Sequence, residues 1–278
     1  MASRKEQKEQ ARAARIAQEQ QSATKARKTR RLQIFGGVIV AAVIVIVVAI
    51  VVSSGSSNSP KGAHTGLVTG RSQQQLVSQV DTLLAGIPQR GATLGNPSAK
   101  VTMEYFGDLE CPICQQFTLD VFQSFIQKQV RTGNVKVVYR SMCTATCGPR
   151  MSQSADMTIF NRQQVAALAA GKQNKFWQYI ELFYHQQKEE NSGYATDTWL
   201  AGIAKQVTGL SLQTWQSDRK DPSLLSQVTA DQKFATSASL PGTPALIMRG
   251  PTGKETLVNG GNLVTSESQL DTAVKAVS

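Results

Sequence analysis

Val101-Thr102-Met103-Glu104-Tyr105-Phe106-Gly107-Asp108-Leu109-Glu110-Cys111-Pro112-Ile113-Cys114 is the stretch whose reading decides the fold. Val101 to Phe106, introduced by the turn pair Asn96-Pro97, reads as a strand. It runs almost at once into two cysteines three positions apart. Pro112 suits the first turn of a helix, where its missing N–H is not needed. Phe117, Val121, Phe122, Phe125, Ile126 and Val130 then recur at helical spacing until Gly133-Asn134 ends the pattern. Val135 to Met142 is a second apolar, β-branched run. Strand, helix, strand in that order predicts a right-handed parallel crossover with Cys-Pro-Ile-Cys at its first turn.

Further along, Met151 to Phe234 reads as helical throughout, with stripes such as Val165, Leu168, Phe176, Tyr179, Ile180 and Phe183. Trp177, Trp199 and Trp215 read as packing residues. Pro241-Gly242-Thr243-Pro244 leads into a strand, Ala245 to Met248. A turn at Gly250 to Gly253 and a hairpin partner, Glu255 to Val258, follow, and an amphipathic helix, Glu267 to Val277, closes the chain. The order is βαβ, helical insertion over about 150–235, ββα. Before the first strand, Gln73 to Leu84 predicts a short helix with Leu76, Val80, Leu83 and Leu84 on one face, and Ile87 to Gly95 a short extended piece.

The 278 residues can bury a substantial core. A formal charge of +11 invites a nucleic-acid reading, but residues 1–33 hold ten Lys/Arg against three Glu, leaving +4 for the other 245 residues. That basic tail reads as a topogenic, cytoplasmic segment in contact with anionic lipid, and no nucleic acid is expected. Ile34 to Val52 is an unbroken run of Ile, Val, Ala, Phe and Gly. As a helix at ~1.5 Å per residue it would span a bilayer's hydrocarbon core. It predicts an uncleaved signal anchor with the N-terminus cytoplasmic and everything after about residue 53 outside the cell membrane. Residues 53–86 then form a spacer with the short helix, and 87–278 the folded domain.

All four cysteines fall on that oxidising side, as the pairs Cys111/Cys114 and Cys143/Cys147. Disulfide exchange needs one thiolate to attack and a second thiol to resolve the mixed disulfide. Cys111, at the start of the helix, faces unpaired N–H groups that lower its pKa, and is expected to be the exposed nucleophile. Cys114, one turn inward, is expected to be the shielded resolving thiol. The alternatives at this point are a four-cysteine zinc site and a purely structural Cys111–Cys114 bond. Cys143 follows a strand parallel to the first, so the second pair is expected near the first, either as a local structural disulfide or as a relay. Glu110 reads as a solvated surface residue. His64 and His185 have no visible partners, and no phosphate-binding loop, dinucleotide fingerprint or other cofactor motif appears.

Tyr105 to Cys114 resembles the active-site strand and helix of DsbA-type thioredoxin-fold proteins, particularly membrane-anchored bacterial ones. Gly242-Thr243-Pro244 resembles their cis-proline loop, Lys175 to Tyr179 their inserted helical region, and Val258 to Gly261 the approach to their last helix. The resemblance covers roughly residues 87–277. It implies an α/β thioredoxin-like fold with a helical insertion, preceded here by the single transmembrane helix. It also implies a cis Thr243–Pro244 bond, with the Thr243 backbone beside Cys111 to pair with substrate. The implied activity is exchange of disulfides with exported cysteine-containing proteins, foremost as an oxidase, an isomerase or reductase role using the same residues. A quinone-linked membrane partner of the DsbB or vitamin K epoxide reductase-like type would then reoxidise it. Two departures stand out. Tyr105 holds the position of the family's buried acid, with Glu104 turned to the opposite face, so no acid–base residue is assigned. Ile113 holds a position where strongly oxidising members have His, implying a less stabilised thiolate. The competing expectation is a membrane-tethered binding or scaffold domain whose cysteines are inert or hold zinc.

Overall fold

The computed structural model describes residues 66–147, 154–260 and 266–278. The basic tail, the apolar run 34–52 and the spacer up to residue 65 lie outside them. Among the described residues no helix is long and apolar enough to cross a membrane.

Helix α1 (Gly70–Leu84) starts three residues before the expected Gln73. It belongs to the domain rather than to a spacer: Val80 and Leu84 enter the main core. Arg131 donates to the carbonyls of Leu83 and Ala85 at its end, at 2.8 and 2.6 Å. Two short strands, β1 (Gln89–Arg90) and β2 (Thr93–Leu94), lead to β3 (Val101–Gly107). A helical stretch over 112–130, α2, returns the chain to β4 (Val135–Ser141), which lies parallel to β3 with Tyr105 opposite Tyr139. The expected crossover is therefore present. Five helices follow: α3 (Ser154–Lys172), α4 (Phe176–Gln186), α5 (Asp197–Gln206), α6 (Leu212–Asp218) and α7 (Pro222–Ser237). Strands β5 (Ala245–Arg249) and β6 (Glu255–Gly260) and helix α8 (Glu267–Val277) complete the chain. The sheet order is β1-β2-β4-β3-β5-β6, with β5 antiparallel to β3 and β6 antiparallel to β5.

Alternation along β3 sorts its side chains between two cores. Met103 and Tyr105 face α2, where Tyr105 meets the rings of Phe117 and Phe122 edge-on, at 5.2 and 6.0 Å between centroids. Phe106 faces the other way and stacks on Phe234 of α7. Glu104 shares that second face, held by Arg140 and Arg249 at 2.7 and 2.8 Å. Burial opposes its charge, but the two guanidinium groups outweigh that and hold the carboxyl below its ordinary range.

Helix α2 departs from the regular helix that the spacing predicts. Phe117–Phe122 and Ile126–Val130 form wide turns, closed in one case by the Arg131 N–H donating to the Ile126 carbonyl. On a regular α-helix Phe117 and Phe122 would stand about 140° apart. Widening the turn brings both onto the buried face, where each is fully enclosed.

One buried group works against stability. Glu181 of α4 is fully enclosed, its carboxyl oxygens make no hydrogen bond of normal geometry, and Gln123 lies beside it. Burial pushes its pKa up to about 8, which Gln123 only partly offsets. Below about pH 4 the carboxyl is protonated in folded and unfolded chains alike; above that only the unfolded chain ionises until about pH 8, so stability falls as pH rises. Glu181→Gln should raise unfolding free energy at pH 7.5 by on the order of 2–4 kcal/mol and change it little at pH 4, as read by urea denaturation.

Candidate active site

The site forms where β3 hands over to α2. Gly107 ends the strand under the Tyr139 ring, whose carbon and oxygen atoms stand 2.7 and 2.8 Å from where a Cβ would sit, so only glycine fits. Asp108-Leu109-Glu110 turns the chain, and Cys111 becomes the N-cap of α2 with Pro112 in the first turn. The Cys111 sulfur accepts the Cys114 backbone N–H at 3.4 Å, the capping role a Ser or Asp side chain would otherwise fill. Its S–H lies 3.5 Å from the Thr243 carbonyl, to which it donates. The Thr243–Pro244 bond is cis, the isomer the resemblance implied. Pro112 is exposed and Ile113 half-buried, so neither screens the sulfur from the helix end.

Cys111 and Cys114 are free thiols with opposed acidities. The Cys111 thiol is drawn down to about 7, first by a hydrogen bond from Cys114, then by contacts with Thr243 and the Cys114 N–H; burial and the Asp108 charge oppose the shift. The Cys114 thiol is pushed far up, chiefly by complete burial and then by its neighbour's sulfur. The expectation that Cys111 is exposed needs correction: it is only 6% exposed. The loop of Thr243 packs on one side, and on the other Gln187 donates to the carbonyls of Leu109 and Cys111 at 2.7 and 3.2 Å. The helical insertion thus closes down on the motif, which no periodicity in the sequence announces.

Glu110 is a second correction. It is 1% exposed, not solvated: Gln163 donates to one carboxyl oxygen at 2.7 Å and the Asn191 N–H to the other at 2.8 Å. Burial raises its pKa despite those bonds, helped by the nearby charges of Asp108 and Glu190. Asn191 reaches Glu110 from a left-handed backbone conformation, φ 59°, which asparagine tolerates well.

Tyr105, standing where the family has its acid, is fully buried, its hydroxyl 3.1 Å from the Thr118 hydroxyl and donating to the Cys114 carbonyl at 3.4 Å. Burial drives its pKa far above the usual phenol range, so it stays neutral and takes no proton from Cys114 near neutral pH.

Cys143 and Cys147 are joined as a disulfide, Cα atoms 5.8 Å apart, which leaves too few free thiols for a four-cysteine zinc site. Their loop sits against the first pair, as the parallel strands predict. Asp108, overlooked in the sequence, is the link. It is fully buried and accepts the N–H groups of Thr144 and Thr146 at 2.8 and 3.0 Å on one oxygen; the Glu110 N–H and the Thr146 hydroxyl reach the other at 3.1 and 2.5 Å. The Thr144 hydroxyl also lies 2.5 Å from that of Thr243.

A thioredoxin family model matches residues 89–257. Over 153 residues the chain is 24% identical to disulfide bond formation protein D of Bacillus subtilis, covering 55% of this chain and 65% of that relative, a little under two thirds of its length. Its fold is similar to that of oxidised BdbD from Bacillus subtilis, with a TM-score of 0.54 and 19% identity over 68% of this chain and 96% of that one. It is also similar to a thioredoxin-like oxidoreductase from Silicibacter pomeroyi, with a TM-score of 0.51 and 25% identity over 70% and 95%. The α/β fold with its helical insertion is thus thioredoxin-like.

If Tyr105 serves packing and hydrogen bonding rather than proton transfer, Tyr105→Phe should cost about 1–2 kcal/mol in stability by leaving Thr118 short of a partner. The pH profile of Cys111 alkylation should stay where it was.

Proposed function

From the premise that this chain belongs to the thioredoxin family, whose model covers residues 89–257, we propose that it is a DsbA-type thiol-disulfide oxidoreductase. It acts as an oxidase on exported cysteine-containing proteins. The observation that carries this reading is the split between two sulfurs one helical turn apart: Cys111 ionising at about 7 and Cys114 held protonated by burial.

In the oxidised enzyme a substrate thiolate attacks the Cys111 sulfur. The Cys111–Cys114 bond breaks, and Cys114 leaves and takes up a proton. A second substrate thiolate then attacks the substrate sulfur of the mixed disulfide, and Cys111 departs as a thiolate. Two electrons have passed from the substrate dithiol to the enzyme. A low pKa makes Cys111 the better leaving group in that second step and stabilises the reduced product. The raised pKa of Cys114 slows its departure in the first step but keeps it protonated afterwards, so that it does not attack Cys111 again before the second substrate thiolate does.

The Thr243 carbonyl beside the Cys111 sulfur supports the idea that an extended substrate segment pairs with the Thr243-Pro244 backbone as an added strand. Similarity to a disulfide bond formation protein supports the substrate class. The apolar run 34–52 after a basic tail supports a single-pass anchor in membrane lipid with the catalytic domain outside. A quinone-linked membrane protein of the DsbB or vitamin K epoxide reductase-like type would then accept the two electrons from Cys111 and Cys114.

The reduced protein should show one fast thiol in a chromogenic titration near neutral pH, and Cys111→Ser should abolish it. Cys114→Ser should keep the fast thiol and, given a disulfide-bonded peptide whose other sulfur leaves as a thiol, accumulate a mixed disulfide with it, its resolution slowed by about 100-fold or more. Absence of a fast thiol, or one equivalent of bound zinc, would instead favour a scaffold protein.

A further inference from the structure

The carboxyl of Asp108 is enclosed three residues before the nucleophile, and its partners fix its charge state. Three of its four hydrogen bonds come from backbone N–H groups, which can only donate; the fourth comes from the Thr146 hydroxyl. Burial raises the Asp108 pKa, and these four hydrogen bonds oppose it: three N–H groups can only donate and so favour the carboxylate, while the Thr146 hydroxyl is the one partner that could also accept a proton. Two of those N–H groups, of Thr144 and Thr146, converge on one oxygen and belong to the five-residue loop that Cys143 and Cys147 close. Such converging N–H groups make an anion cradle, and here the anion is part of the protein itself.

A fixed negative charge beside Cys111 disfavours its thiolate. We propose that the loop closed by the Cys143–Cys147 disulfide holds Asp108 ionised as a positioning residue whose charge limits how much Cys111 thiolate forms, so that the second cysteine pair tunes the first. The second pair is then neither a bare brace nor a carrier of electrons. Its bond keeps the cradle shaped, and opening the loop releases Asp108 either to protonate or to turn toward water. In both cases the charge stops weighing on Cys111. The upward pull of the Asp108 charge on the Cys111 thiol agrees with this direction.

The ionisable groups facing this centre are Glu110, Tyr139 and Tyr194, which feel the Asp108 charge, and Cys114, with Tyr105 and Tyr184 around it. Burial keeps the tyrosines neutral near pH 7. Glu110 is bonded to Gln163 and Asn191, and the Asn191 side-chain amide also donates to the Ala145 carbonyl of the disulfide loop at 2.9 Å, so the Asp108→Asn background is what separates the Asp108 effect from any change at Glu110.

The inference rests on Cys111 being the attacking thiol. The experiment is the pH dependence of Cys111 alkylation by iodoacetamide, read by mass spectrometry on the reduced Cys111/Cys114 form, for the native chain, Asp108→Asn, the double variant Cys143→Ala/Cys147→Ala, and all three changes together. Asp108→Asn should lower the midpoint by about one unit, about tenfold in the thiolate equilibrium. The double alanine variant should lower it in the presence of Asp108 and move it much less when combined with Asp108→Asn, the non-additivity expected of coupled groups. A midpoint unmoved or raised by Asp108→Asn, or an equal shift from loop opening in both backgrounds, would overturn the proposal. If the asparagine variant fails to fold, carboxyl carbon NMR of the native chain decides: Asp108 ionised at pH 7 and partly protonated or solvent-exposed in the double alanine variant supports it. A native Asp108 that is protonated at pH 7 overturns it. A native Cys111 that titrates like free cysteine, above about 8, would instead sink the oxidoreductase reading.

Discussion

A single hydrogen bond organises this molecule: the Cys114 backbone N–H given to the Cys111 sulfur at the first turn of α2. For the sulfur to cap that helix, β3 must end in the right place, which requires Gly107 to slip beneath Tyr139. Pro112 must start the helix without needing a donor of its own. Cys114 then falls one turn inward, where burial keeps its proton on and leaves it ready to help its neighbour lose one. The helix end stabilises a negative sulfur for the same reason that it stabilises any capping anion: N–H groups there have no partner within the helix. Two cysteines of identical chemistry acquire opposed acidities, one from the hydrogen bonds at the helix end and one from complete burial.

Around that cap the protein buries charge to an unusual degree. Asp108, Glu110 and Glu181 are all at most 1% exposed, and each meets the cost differently. Asp108 is surrounded by donors from the disulfide loop. Glu110 draws its donors from the helical insertion, through Gln163 and Asn191. Glu181 lacks such bonds and yields its charge instead. The insertion therefore does more than enlarge the domain: through Gln163, Tyr184, Gln187 and Asn191 it fixes the loop from Asp108 to Cys111. The disulfide loop and Thr243 close the opposite side. The Cys111 sulfur is thus enclosed from both sides, the residue keeping only 6% of its surface exposed.

Much of this was legible because local pattern and tertiary role agree. The apolar runs Val101 to Phe106 and Val135 to Met142, with a helix between, needed only periodicity and turn chemistry, and the closing helix Glu267–Val277 was readable to the residue because Ser266 and Gln269 form a capping box before it. The opposite faces of Glu104 and Tyr105 followed from alternation. What escaped was whatever depends on partners far along the chain. Glu110 reads as a solvated loop acid and Asp108 draws no notice until the residues that bond them, 36 to 81 positions away, fold over them. Cys111 looked exposed for the same reason. The wide turns of α2 did leave a trace, the five-residue spacing of Phe117 and Phe122, which a strict helical period leaves on different faces.

Equilibration of the Cys111/Cys114 couple against glutathione tests the central claim most directly, because a thiolate stabilised by the helix end must make the reduced enzyme the favoured product of exchange. A reduction potential close to that of protein disulfide isomerase, about −180 mV, or higher is the predicted result. A value at or below that of thioredoxin, about −270 mV, would mean that the Cys111–Cys114 bond is the stabler form, and would contradict the assignment as an oxidase.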